Sequence, residues 1–222
     1  MSYPTYQLLT DDLPAIDEQH YKRLLNTSRS AVMYPALLAG YRNVYEAMND
    51  TVLRNYLDVF VQRVAYAGLN IPDNETGITL KNHVLDNLFV EMADDQLETL
   101  SFNGLANLSD SLLPVLTELV DQNKPVHCVA FLVAAYGHYL QAETDDKGAP
   151  YETQEPLLHE TDWAKIGDND VLAFLDVSPL ASATLRDIPH FAALYTLYRK
   201  QIAIYGVSFT LRQAMCTFWE TV

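Results

Sequence analysis

The sequence predicts a mainly α-helical fold in one domain, residues 1–222, and three observations carry that reading. Apolar residues recur at i, i+3, i+4 and i+7 through most of the chain. The few β-branched clusters are short and lie within that same spacing, and there is neither an internal repeat nor a low-complexity tract. A chain of 222 residues is also long enough to bury a substantial core without splitting into several domains.

The elements follow in order. Tyr21, Leu24, Leu25, Ser28, Ala31 and Val32 mark one face of a first helix from His20, which Pro35 is expected to kink or end near Met33 or Tyr34, because proline has no amide hydrogen. Asn43 is placed to cap a short helix over Val44 to Met48, and Asp50 or Thr51 to cap the next, Val52 to Ala67, which Gly68 stops. Leu69 to Thr76, centred on Pro72-Asp73-Asn74, reads as a turn. Helices over Ile78 to Glu91 and Asp94 to Phe102 come next. Asn103 to Asp110 reads as an irregular loop before a helix over Leu112 to Asn123. Pro125 opens the most apolar segment, Val126 to Leu140, whose length favours a buried helix over a strand. A polar surface loop spans Gln141 to Glu155. Short segments at Asp162 to Ile166, Asp170 to Leu175 and Ser178 to Arg186 lead to a long helix from Pro189 to Tyr205. Gly206 interrupts it before Val207 to Glu220.

Composition removes several function classes. The formal charge of −15 repels the phosphate backbones that Lys and Arg must neutralise, so no nucleic acid is expected as a partner. No run of about 18 uncharged apolar residues exists, so no membrane span is expected. Met1 to Thr10 lacks a basic start followed by an apolar core, which argues against a secretory signal. The two cysteines, Cys128 and Cys216, lack metal-ligand spacing and read as reduced thiols of a cytoplasmic protein. The six histidines show no H-x-x-x-H or H-E-x-x-H spacing, although His127 and His138 share nearly one face of an apolar helix, and no metal is expected. Asp94-Asp95 and Asp145-Asp146 read as solvated faces and caps. The tyrosine-rich segments read as core with hydroxyls reaching solvent.

The stretch Tyr21-Lys22-Arg23-Leu24-Leu25-Asn26-Thr27-Ser28-Arg29-Ser30-Ala31, followed by Leu38-Ala39-Gly40-Tyr41 and Val44-Tyr45-Glu46-Ala47-Met48, carries a resemblance. It is similar to the helix that opens the C-terminal, substrate-binding domain of the mannitol dehydrogenase family, which holds polyol dehydrogenases, mannitol-1-phosphate 5-dehydrogenase, and fructuronate and tagaturonate reductases. That helix reads roughly K-x-x-x-x-N-x-x-H, with "LLNxxHS…LAGY…VHEAM" around it. Thr10-Asp11-Asp12-Leu13 resembles the family's lead-in to this helix, Asp145-Asp146-Lys147-Gly148 its "DDxG" turn, and Phe174 to Phe191 a stretch near its end. The order and spacing of these elements together are specific.

The resemblance implies a role for each matching position. In the family the Lys is taken as general base on the substrate hydroxyl during hydride transfer to NAD, the Asn steadies the developing charge on oxygen, and the His positions substrate. Here Asn26 matches, while Tyr21 stands in the Lys position and Arg29 in the His position. Lys22 lies one residue late, about 100° further round the helix. The candidate catalytic residues are therefore Asn26, Lys22 and Tyr21, with the phenol a different kind of acid or base from an amine. Arg29 cannot exchange a proton near neutrality but can hold a carboxylate or phosphate through two parallel bonds. A second family element, a basic residue followed by "DGSxKLP", falls near Asn103 to Pro114. This chain offers Ser101, Asn107 and Asp110 there, with no basic residue between Leu100 and Lys124, and Asn107 is the candidate substrate contact.

The chain carries no G-x-G-x-x-G turn and no P-loop. No cofactor is expected on this chain alone, and NAD only if a partner chain supplies a dinucleotide-binding domain. Three functions follow as expectations. The first is a stand-alone, degenerate relative of the substrate domain, without catalysis of its own, that binds a sugar acid or polyol (phosphate). The second is one chain of a split polyol or hexuronate dehydrogenase. The third is a protein-interaction module. A homo-oligomer or a protein partner is expected under all three, because the face that met a dinucleotide domain needs a cover.

Overall fold

A computed structural model describes residues 18–68, 75–92, 96–102 and 104–220. Within them the chain is helical, with only isolated bridges between Asn43 and Gln96 and between Thr144 and Pro150 in place of a sheet. The expectations for Thr10 to Leu13, Leu69 to Asn74 and Asp94-Asp95 lie outside the described residues.

Helix α1, Glu18–Leu38, runs through Pro35 and does not end before it. Proline inside a helix costs about 3 kcal/mol, but Pro35 sits in the last turn, and its own carbonyl still accepts Ala39 N–H at 3.0 Å. Stopping early would unseat Leu37 and Leu38, both 1% exposed or less. Burial of each contributes roughly 1.5–3 kcal/mol, which outweighs the lost bond. The helix is closed by a Schellman turn: Gly40 N–H bonds Leu37 O and Tyr41 N–H bonds Ala36 O, with Gly40 at φ +83.

Helix α2 (Val44–Met48) is capped by Asn43, whose side chain accepts Glu46 N–H at 2.8 Å. Between the two candidates for α3 (Thr51–Gly68), Asp50 is the cap, accepting from Val52 N–H at 2.7 Å. Helix α4 (Glu75–Met92) begins at Glu75, so Thr76 belongs to it and not to the turn. Helix α5 is a single turn, Leu97–Leu100. The expected loop before residue 112 is helical instead: α6 (Gly104–Asn107) continues as a π-turn, Leu108–Leu112, into α7 (Leu113–Asp121). Its start is capped by a carboxylate from far along the chain, Glu155, a partner no local pattern announces.

Helix α8 (His127–Gln141) is the axis of the domain. From Cys128 to Leu140 every residue but His138 is buried, and α1, α3, α10 and α11 all pack on it. Helix α9 (Glu160–Ile166) and three 3₁₀ turns, Val171–Asp176, Ala181–Ala183 and Leu185–Asp187, lead to α10 (Pro189–Tyr205) and α11 (Val207–Glu220). Asp146 joins this end to the polar loop by accepting Val207 N–H at 2.8 Å. Asp145 is not solvated as expected: it is buried, ion-paired with Arg42, and accepts Lys147 N–H and Ala149 N–H at 2.8 and 2.9 Å. Lys147 Nζ donates to Gly40 O at 3.0 Å and lies over the Tyr41 ring, so the "LAGY" and "DDKG" segments form one structural joint.

The tyrosine hydroxyls also depart from expectation. Tyr34 donates to Ser101 O, Tyr56 to Cys128 O, and Tyr136 to the Glu155 carboxylate, so these phenols find partners inside the core and not in solvent. A buried hydroxyl without a partner costs roughly 1–3 kcal/mol, which is why each donor is matched to a carbonyl or carboxylate.

Candidate functional site

Helix α1 presents Lys22, Asn26 and Arg29 at i, i+4 and i+7, one stripe along the helix. Lys22 is exposed, and Asn26 and Arg29 are half-buried. The small polar residues between them do not join the stripe chemically. Thr27, Ser28 and Ser30 each donate their hydroxyl to a backbone carbonyl one turn back, Ser28 to Leu24 O at 2.7 Å. Asn26 forms no side-chain hydrogen bond among the described residues, so its amide is available. Lys22, Arg23 and Arg29 concentrate three of the chain's 14 basic residues on eight positions of α1.

Tyr21 is turned away from that stripe. Its ring is buried against α4, 6.2 Å from the His83 ring, and its hydroxyl oxygen accepts from Asn87 Nδ2 at 2.6 Å. The same amide nitrogen meets His83 Nε2 at 2.9 Å, which makes that ring nitrogen the acceptor. Asn87 thus spends both amide hydrogens on fixing α4 to Tyr21. Sequence reasoning missed Asn87 and His83, and no motif marks them; their i, i+4 spacing on an amphipathic helix is ordinary.

Asn107 closes α6 where it passes into the π-turn, on the stretch that packs along α1. The amide of Asn107 likewise has no partner among the described residues. The π-turn is the one place among the described residues where a helix takes up an extra residue, a distortion that recurs at functional sites. Ser109 answers it by donating to Leu105 O and Ala106 O at 2.8 and 3.1 Å. Ser101 has a structural part: its carbonyl accepts from Tyr34, and its hydroxyl donates to Glu98 O at 2.7 Å. Asp110 is exposed on the π-turn.

Beneath the π-turn lies Glu155, buried and fully engaged. It accepts Gly104 N–H at 2.6 Å, Leu105 N–H at 3.3 Å and the Tyr136 hydroxyl. Burial pushes its carboxyl above the usual range, while those three donors pull back. The helix starts that most resemble phosphate cradles are therefore already filled by the chain's own side chains: α3 by Asp50, α6 by Glu155, α11 by Asp146. No three His, Cys, Asp or Glu side chains gather for a metal among the described residues.

The arrangement on α1 can therefore bind more readily than it can move a proton. The stripe carries an amide and two cations, one of them a guanidinium, while the Tyr21 phenol is locked onto another helix.

The chain as a whole is similar to known proteins. The model of the mannitol dehydrogenase C-terminal domain matches residues 19–202. Mannitol 2-dehydrogenase of Aspergillus fumigatus is 29% identical over 207 residues, covering 90% of this chain and 40% of that protein. The polyol:NADP oxidoreductase of Gluconobacter oxydans is 26% identical over 153 residues, 68% of this chain and 31% of that protein. Among solved structures, Pseudomonas fluorescens mannitol 2-dehydrogenase, in a ternary complex with NAD and D-mannitol, superimposes with a TM-score of 0.79 at 24% identity, over 88% of this chain and 40% of that one. D-sorbitol dehydrogenase in substrate-free form gives 0.77 at 22% identity, over 87% and 40%. The chain thus spans about 40% of the length of these mannitol 2-dehydrogenase relatives.

Proposed function

This chain belongs to the mannitol dehydrogenase family, matched to its C-terminal domain, and on that premise we propose that it binds an acidic sugar derivative, a hexuronate or hexitol phosphate, on the α1 stripe and does not itself carry the proton transfer of a dehydrogenase. The observation that carries this reading is the division of α1. Asn26, Arg29 and Lys22 share one stripe of the helix, while Tyr21, in the position of the family's amine, is held by Asn87. Arg29 favours an anion, because a guanidinium meets a carboxylate or phosphate with two aligned donors. A neutral polyol gains nothing comparable from it.

The test is a thermal-shift panel of hexitols, hexitol phosphates, hexuronates and NADH against the full chain. A ligand at 100 times its Kd adds about 2.7 kcal/mol of apparent stability. The expected result is a saturable rise in Tm with an acidic sugar and none with NADH or hexitols. A rise with a neutral hexitol alone overturns the anionic reading. A rise with NADH alone overturns the division of labour and favours a chain that takes part in hydride transfer.

A further inference from the structure

We propose that the groove between α3, α8 and α11 is a binding site for a small phosphate-type oxyanion, built by Arg63, His127 and the neighbouring His190. The site is remote in sequence from the α1 stripe and does not rest on the function proposed above. The groove opens to solvent and is walled by Val59, Pro125 and Phe218, with Arg63, His127 and Cys128 completing its lining. The His190 ring of α10 stands edge-on to that of His127, 5.7 Å between centroids.

The polar atoms there are only partly used. Arg63 spends one Nη2 donor on Phe218 O at 3.3 Å, and the remaining guanidinium donors stay available. His127 Nδ1 meets the Tyr198 hydroxyl at 3.2 Å, which leaves Nε2 for a ligand. Acidic residues outnumber basic ones by 29 to 14 in this chain. Even so, among the described residues none forms an ion pair with Arg63, His127 or His190. His127 is the first residue of α8 and His190 the second of α10, and neither helix start has a side-chain cap. Cations are disfavoured at helix starts and anions favoured.

The same crowding couples binding to protons. The groups facing His127 are Arg63 from α3, Cys128 on its own helix, and His190 and Tyr198 from α10. Burial, then His190, then Arg63 hold its imidazole below the ordinary value. An anion among the three reverses the last two effects, so binding takes up a proton and tightens as pH falls.

The imidazole resonances of the full chain, titrated with inorganic sulfate, which stays a dianion at both values, at pH 7.5 and pH 6.0 and constant ionic strength, test this. Saturable shifts at His127 and His190 are expected, with affinity tighter at pH 6.0 by up to about thirtyfold for one coupled proton. Arg63→Gln and His190→Gln should each weaken binding, and Lys200→Gln, at an exposed cation outside both sites, should leave it unchanged. His190 is exposed, so its variant keeps the test decisive if Arg63→Gln impairs folding. Shifts that never saturate, that chloride reproduces, or that survive His190→Gln unchanged overturn the proposal.

Discussion

The Glu155 carboxylate accepts the backbone N–H of Gly104 at 2.6 Å from 51 residues further along the chain. This contact turns a segment with the composition of a loop into a helix start, and with it sets the register of the π-turn that packs on α1.

Glu155→Gln should lower stability by about 1–3 kcal/mol, because the amide keeps one acceptor and directs an N–H₂ towards Leu105 N–H, a donor facing a donor. Urea denaturation measures it. The sign with pH is also set. Burial raises the folded-state pKa of Glu155, so a protonation increment, separate from the three hydrogen bonds, favours the fold below the ordinary glutamate value and is lost as pH rises through the raised one. The wild-type chain should lose that increment on alkalinisation and the Gln variant should not.

Gly104→Ala should be more damaging than an ordinary helical substitution. A Cβ at this position falls 1.9 Å from Tyr34 Oη and 2.7 Å from Tyr136 Cε2. Overpacking of this kind costs roughly 1–3 kcal/mol. Tyr34→Phe removes the nearest atom, so the double variant should be less destabilised than the two single changes summed. Simple additivity in a double-mutant cycle would show that the clash lies elsewhere.

His138 faces Arg199 Nη1 through Nδ1 at 2.9 Å, which keeps the ring neutral with its proton on Nε2. Burial, then the Arg199 charge, lower its pKa from 6.5 to about 4. Its contribution is present above pH 6.5 and is lost as pH falls through 4, since between the two values the unfolded chain binds a proton that the fold refuses. The loss is on the order of 3 kcal/mol. Urea midpoints at pH 7.5, 5.5 and 4.5 should therefore fall less steeply in His138→Gln than in the wild-type chain.

Arg29→Lys should weaken binding of an acidic sugar derivative by about tenfold, and Arg29→Gln by up to about a hundredfold, because the first loses the two-donor geometry and the second the charge as well. Calorimetric titration of each variant with the ligand found in the panel checks this. Equal affinity for all three proteins would remove Arg29 from the site.

How much of this was legible in the sequence depended on the range of the interactions concerned. Asn43, Pro189, Gly206 and the apolar run of α8 are local signals, and the elements they predicted lie at or close to the expected residues. Pro35 and the Asn103 to Asp110 loop misled for one reason. In both places a tertiary partner, buried Leu37 and Leu38 in one case and Glu155 in the other, outweighs the local preference. The grouping of Lys22, Asn26 and Arg29 follows from helical spacing alone. The turning of Tyr21 towards Asn87 does not, because that bond joins residues 66 apart.

The Glu155 clasp also dictates an order of assembly. Helix α6 opens the helical run that continues through the π-turn into α7, and the group that stabilises its start lies 51 residues downstream. While the chain is being synthesised, α1 can be present in full before the surface beside it exists. The surface against α1 is then completed only after the segment through residue 155 has emerged and docked, so a premature stop anywhere between the π-turn and Glu155 leaves α6 without its cap.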